Sequence, residues 1–207
     1  MNKFSLKKNK HFNKTLLIFS LLFCLLSIPV KAAPSDANAA DNQIVLTNSQ
    51  KGVRISGDVG AVLLPVAGLT AILINKDWEG LKQGALAGVT TLGVTTALKY
   101  IVKKERPDRS DFHSFPSMHT SVSFTAASFI QRRYGWKWGA PAYLLSAYVG
   151  WSRVYGKKHD WWDVATGAAI GVGSAYIYTR PFARKHNLVF APVAGDGHYG
   201  LYASMNF

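Results

Sequence analysis

VATGAAIGVGSAYIY, residues 164–178, runs for fifteen positions without a charged side chain. It is longer than an ordinary strand, and Ala and Gly outnumber its β-branched residues, so it reads as a helix. The same texture recurs outward along the chain at Val59–Ile74, Ala85–Val102, Ser117–Ile130 and Gly139–Val154, while the quoted stretch completes a segment Trp162–Tyr178. Small residues such as Gly84, Gly88, Gly93, Gly167, Gly171 and Gly173 recur through these segments, as expected where helices approach closely. The expected fold is all-α, an antiparallel bundle of five or so core helices. Val59–Ile74 and Val164–Tyr178 carry no charge, which favours a membrane-embedded bundle. Lengths below ~18 residues also fit the buried helices of a soluble one, and Lys99 and the polar Ser117–Ile130 segment keep that alternative open.

The two ends of the chain differ from this middle. Lys3, Lys7, Lys8, Lys10 and Lys14 precede an apolar run from Leu16 to Val30, and small residues follow it. Residues 1–32 therefore read as a secretory signal peptide; the apolar run is shorter than the ~20 residues of a span. The sole cysteine, Cys24, lies inside it, so the exported chain has no thiol chemistry. Residues 33–56 read as a polar lead-in, 57–185 as the helical domain and 186–207 as a tail. In the tail, Leu188–Pro192 and His198–Ser204 flank Gly195-Asp196-Gly197, a hairpin signature. The whole chain carries a formal charge of +13; without the six lysines of residues 1–32 the balance is 18 − 11 = +7. Such a surplus suits an anionic substrate, an anionic membrane or nucleic acid, and does not choose between them.

Charge interrupts the helices in three places: Lys99 to Arg106-Pro107, then Pro116-Ser117-Met118-His119, then Ser152-Arg153 with His159 and Asp163. The first ends helix two, the second begins helix three, and the third joins helices four and five. In an up-and-down bundle these ends share one side. Lys99, Arg106 and Arg153 would then converge, an arrangement that repulsion disfavours unless an anion sits between them. Arg offers bidentate donors to phosphate oxygens, and the start of a helix at Ser117 adds free N–H groups. Asp163, four residues after His159 and on the same helical face, could fix its tautomer and free the other ring nitrogen to attack, while His119 could protonate a leaving alkoxide.

Each cluster also has a plainer explanation. Lys-Lys-Glu-Arg at 103–106 is commonly a solvated run, and Ser117 after Pro116 is commonly a helix cap. His159 with Asp163 could be a surface pair or half of a zinc site, for which Asp111, His113 and His119 are the further candidates. Trp161 and Trp162 suit packing or a membrane interface, and Lys157, Lys158 and Asp160 read as a wet loop.

Taken jointly, Lys99-x6-Arg106-Pro107, Pro116-Ser117-x-His119 and Ser152-Arg153-x5-His159-x3-Asp163 resemble the three-part signature of the type-2 phosphatidic acid phosphatase superfamily, across about residues 57 to 180. That superfamily includes bacterial acid phosphatases and vanadium haloperoxidases. The resemblance implies a metal-independent phosphatase in which His159 forms a phosphohistidine, Asp163 orients it and His119 is the general acid. Lys99, Arg106, Ser117, Arg153 and the backbone N–H of Met118 would hold the phosphate. It implies no cofactor and no metal. Met118 stands where the family usually has Gly, and only eight residues separate Pro107 from Pro116, a short spacer for the family.

The function expected is hydrolysis of a phosphomonoester or diphosphate, on a lipid-linked substrate at the periplasmic face of an inner membrane. A membrane is the expected partner, with no nucleic acid and no obligate protein partner. The alternatives are a soluble periplasmic acid phosphatase of broad specificity and a non-catalytic anion- or lipid-binding envelope protein. Vanadate-dependent haloperoxidase chemistry is a more distant one.

Overall fold

The computed structural model describes residues 44–182, 188–195 and 198–205. Five helices follow in order: α1 Asn48–Ile74, α2 Trp78–Val102, α3 Met118–Tyr134, α4 Trp136–Tyr155 and α5 Trp161–Tyr178. Strands β1 Leu188–Gly195 and β2 His198–Met205 pair antiparallel, with Leu188 opposite Met205 and Gly195 opposite His198, as the tail's sequence predicts. The proposed signal peptide and residues 33–43 of the lead-in lie outside the described residues.

The C-terminal ends of α1, α2 and α5 fall where expected and that of α4 within one residue, whereas α3 runs on past Ile130 to Tyr134 and the N-terminal ends of α1 and α2 move. Helix α1 begins at Asn48 rather than Val59, which takes residues 48–56 out of the polar lead-in. The cause is a capping box: Thr47 Oγ1 accepts from Gln50 N at 3.2 Å, and Gln50 Oε1 accepts from Thr47 N at 3.0 Å. Helix α2 starts at Trp78 rather than Ala85 because Asp77 caps it, accepting from Gly80 N at 2.8 Å. Apolar texture marks only the part of each helix that lacks charge, so the capped polar turns escape it.

Helix α3 is the centre of the bundle and packs against the other four described helices. Its side-chain hydrogen bonds with α2 are hydroxyl to hydroxyl: Thr91 Oγ1 with Thr125 Oγ1 at 2.7 Å, and Thr95 Oγ1 donating to Ser121 Oγ at 3.1 Å. Against α5 it is backbone that touches, since a Cβ on Gly171 would overlap the Ser121 carbonyl. The apolar core lies toward the end of the bundle away from the three clusters, where Leu64, Ile72, Ala127, Phe129, Ile130 and Ala142 pack together. That end is closed by Arg133, which donates to both oxygens of Asp77 at 2.6 and 2.5 Å and to the Arg180 carbonyl at 2.8 Å.

Helices α1 and α2 are long and apolar enough to cross a membrane, and most of each apolar stretch faces outward. Val59, Leu63, Val89 and Ile101 are among the exposed apolar side chains. A water-facing surface of that kind would be unusual, whereas lipid accepts it.

Candidate active site

The three clusters meet at one end of the bundle around a cavity of about 210 Å³. Arg54, Arg106, Arg153 and Lys158 line it with Asp58, Asp111, His119 and His159, so four cations face two carboxylates. Such a surplus is an anion site.

His159 is 3 % exposed, and its Nδ1 lies 3.4 Å from Asp163 Oδ2. The pairing does not arise from a shared helical face, because α5 begins at Trp161 and His159 sits in the loop before it. A second capping box sets it instead. Asp160 accepts from Trp162 N and Asp163 N, each at 3.0 Å, while Asp163 Oδ2 accepts from Asp160 N at 3.2 Å. Two further groups hold the same carboxylate: Lys104 Nζ at 2.8 Å from Oδ1, and the Ser114 hydroxyl, which donates to Oδ2. With Nδ1 committed to this buried network, Nε2 is the nitrogen left for the cavity that His159 lines. Burial first, then repulsion from Arg106 and Lys99, outweighs the Asp163 contact and lowers the His159 pKa to about 4. The ring is thus neutral, with a lone pair available, at ordinary pH. Lys104 behaves oppositely: burial works against its charge, yet the Asp160 and Asp163 contacts hold it protonated above the usual lysine range.

Arg153 is buried, and each of its three guanidinium nitrogens makes one hydrogen bond within the protein, three of five N–H donors. Its Nη1 donates to Asp58 Oδ1 at 2.5 Å, Nε to Ser152 Oγ at 3.2 Å, and Nη2 to the Arg54 carbonyl. Helix α1 comes this close because residue 57 is glycine; a Cβ there would overlap the Ser152 hydroxyl and the Arg153 guanidinium. The same Asp58 oxygen lies 3.0 Å from His119 Nε2. Arg106 is tied to Asp111, with Nε 2.8 Å from Oδ1 and 2.7 Å from Oδ2. The short spacer after Pro107 is therefore a tight turn that brings Asp111 back onto Arg106, and Arg106 N also donates to the Asp111 carbonyl at 2.9 Å.

Not every expected residue reaches the cavity wall. Lys99 donates to the His113 carbonyl at 2.8 Å and stands behind that wall. Ser117 is fully buried and caps α3, with its hydroxyl taking the Thr120 Oγ1 proton at 2.9 Å and its N–H donating to the Asp163 carbonyl at 3.0 Å. Met118 opens α3, so its N–H is one of the first-turn donors without an intrahelical acceptor. Nor is the loop simply wet: Lys158 pairs with Asp108 at 2.9 Å and Asp160 caps α5.

Arg54, Asp58 and Ser114 are participants that sequence reasoning passes over, while it puts Lys104 only in a solvated run and Asp111 only among candidate zinc ligands. The Thr47–Gln50 capping box was the available signal for the first two, because it carries α1 through both of them. Asp58 also borders a second, apolar recess of about 420 Å³ along α1, lined by Val59, Val62, Leu63 and Val66.

The sequence pattern of the PAP2 superfamily matches residues 83–186, which contain all three clusters. The chain belongs to the PAP2 superfamily. It is accordingly a hydrolase of phosphoric ester bonds with a membrane-type helical bundle. Among PAP2 relatives, a lipid A 4′-phosphatase of Helicobacter pylori is 30 % identical over 70 % of this chain and 80 % of its own length. A lipid A 1-phosphatase of the same species is 28 % identical over 87 % of this chain and 98 % of its own. Two solved PAP2 structures share the fold. Aquifex aeolicus LpxE superposes with a TM-score of 0.51 and 25 % identity, over 60 % of this chain and 84 % of that one. The transmembrane phosphatidylglycerolphosphate phosphatase of Bacillus subtilis gives a TM-score of 0.50 at 22 % identity, over 79 % and 91 %.

Proposed function

We propose that this protein is a lipid phosphatase that works through a covalent phosphohistidine on His159, on the outer side of the membrane. One observation carries the reading: an anion cavity containing a neutral, carboxylate-held histidine adjoins an outward-facing apolar recess on α1. The phosphate would sit among Arg106, Arg153 and the first-turn N–H of Met118, with Lys99 and Ser117 supporting that wall from behind. The His159 Nε2 lone pair forms the P–N bond as the P–O ester bond breaks. The leaving oxygen takes the electron pair and a proton from His119. A water then gives its proton to His119 and its hydroxide to phosphorus, releasing phosphate and restoring His159. Asp163 keeps Nδ1 occupied throughout, held in turn by Lys104 and Ser114.

The relatives named as lipid A phosphatases support a phosphorylated glycolipid as substrate. Release of phosphate from lipid A and from phosphatidic acid in detergent micelles tests the reading. Activity on both or on either, lost in His159→Ala, is the expected result; equal release by that variant rejects the nucleophile. A helix count from the N-terminus that cleavage of the expected signal peptide would create supports a site on the periplasmic side. Labelling of Lys157→Cys, an exposed loop position, by a membrane-impermeant maleimide in intact cells checks this; protection until lysis overturns it.

A further inference from the structure

Asp58 occupies a position that the chemistry so far does not use. It is the residue shared by the anion cavity and the apolar recess. One of its oxygens touches both Arg153 Nη1 at 2.5 Å and His119 Nε2 at 3.0 Å. Its side chain is 45 % exposed, against 2 % for Arg153, so it faces whatever enters. If the phosphate lies among the arginines and the lipid along Val59, Val62 and Val66, the scissile bond passes Asp58. A carboxylate in an anion site repels every substrate; its placement decides which part of the substrate is repelled most.

We propose that Asp58 reads the leaving group, favouring lipid monophosphates and rejecting lipid diphosphates. This rests on His119 being the proton donor of the proposed reaction. In a monophosphate the leaving oxygen is bonded to carbon, takes the His119 proton and departs as an alcohol. Neighbouring hydroxyl or N–H groups of such a leaving group can donate to Asp58. In a diphosphate the same P–O bond breaks, but the leaving group is a second phosphate, whose charged oxygens must lie against the Asp58 carboxylate. Nearby cations do not cancel this, because Lys158 is tied to Asp108, Arg54 lies 4.0 Å from the same carboxylate, and Arg106, paired with Asp111, serves the transferred phosphate.

The test uses the full chain in detergent with farnesyl phosphate and farnesyl diphosphate, which share one apolar tail. The ratio of kcat/KM values, monophosphate over diphosphate, should fall at least tenfold in Asp58→Asn. Asp111→Asn removes the same charge from the cavity lining at the Arg106 pair and should move the ratio by less than threefold. A ratio within twofold of the parent in Asp58→Asn overturns the proposal, and so does an equal shift in Asp111→Asn, which would mark a general field effect. Calorimetric binding of inorganic phosphate and pyrophosphate needs no turnover. Asp58→Asn should tighten pyrophosphate at least fivefold more than phosphate; equal tightening overturns the inference. Asp58→Ser, with no carboxylate and less bulk, repeats both arms if the Asn variant does not fold. A parent protein that binds both anions but releases no phosphate from any lipid rejects the phosphatase reading, while the binding arm still decides the role of Asp58.

Discussion

Arg133 and Arg153 lie at opposite ends of the bundle, both buried and both paired with an aspartate, and they differ in what the aspartate leaves open. Asp77, the partner of Arg133, has a side chain only 2 % exposed and accepts in addition from Gly80 N and from Tyr134 Oη at 3.0 Å. Every lone pair there has a use, and the pair joins the start of α2 to the end of α3. Asp58, the partner of Arg153, is half exposed and shared with His119. The same chemistry makes a clasp at one end and a seat at the other. What separates them is access, since ion pairing alone identifies neither a stabilising contact nor a site.

Four measurements can break or sharpen that contrast. The largest effect belongs to the seat: His159→Ala should lower kcat on the order of ten-thousand-fold and leave the denaturation midpoint in detergent nearly unchanged. Asp77→Ala should do the reverse. Leaving the Arg133 cation buried without its carboxylate costs roughly 3–5 kcal/mol of stability, read by denaturant titration, with kcat per folded molecule retained. If instead Asp77→Ala reduces kcat as severely as stability, the two ends are coupled and the contrast fails.

Lys104→Met comes next, with kcat down roughly tenfold to a hundredfold, the range of coupling within one hydrogen-bonded network. It carries its own signature. Removing the cation from Asp163 strengthens that carboxylate's hold on a protonated His159, so the acid limb of kcat/KM should move to higher pH. An unchanged limb would make Lys104 a structural contact only. The smallest effect is the position of that limb in the parent protein. His159 has a folded pKa near 4, below its ordinary value of about 6.5, so its ring stays neutral until pH falls toward 4. In labelled-histidine NMR its resonances should therefore remain those of a neutral ring at pH 5.5, where an unperturbed histidine is about nine-tenths protonated. Between the two pKa values the unfolded chain binds more protons than the folded one, so acidification across that window also removes stability. A titration centred near 6.5 would contradict the burial that produces the shift.

The parts of this molecule legible in sequence were those whose physics is local. Apolar runs end at or within one residue of the ends of α1, α2, α4 and α5, and the spacing from Arg153 to His159 to Asp163 singles out a pair that does form. Its reason was not legible. The i,i+4 separation suggested a common helical face, whereas a reciprocal cap with Asp160 and contacts from Lys104 and Ser114 place Asp163. Those contacts span more than forty residues of sequence and depend on how the loop after α2 folds back. Asp58 and Arg54 were hidden for a different reason. They sit on a polar helical extension that apolar periodicity does not register, and their approach to Arg153 depends on the missing side chain of Gly57. The cations Lys99, Arg106 and Arg153 were found by type, but only the last two line the cavity. Charge in a sequence gives the sign of a site and not its walls.

The hydroxyl ladder between α2 and α3 has a consequence for how the protein is made. Helix α3 buries Thr120, Ser121, Ser123, Thr125 and Ser128, and carries Arg132 and Arg133 in its last turn. Those residues leave it a poor candidate for partitioning into lipid alone. Helices α1 and α2, which precede it in the chain, have the apolar length to enter first. Thr91 and Thr95 on α2 then offer partners that the bilayer lacks, so α3 can be admitted as a guest of its predecessor. The helix that begins at the reaction centre is therefore one that the membrane accepts only in company, and the order of synthesis becomes part of the fold.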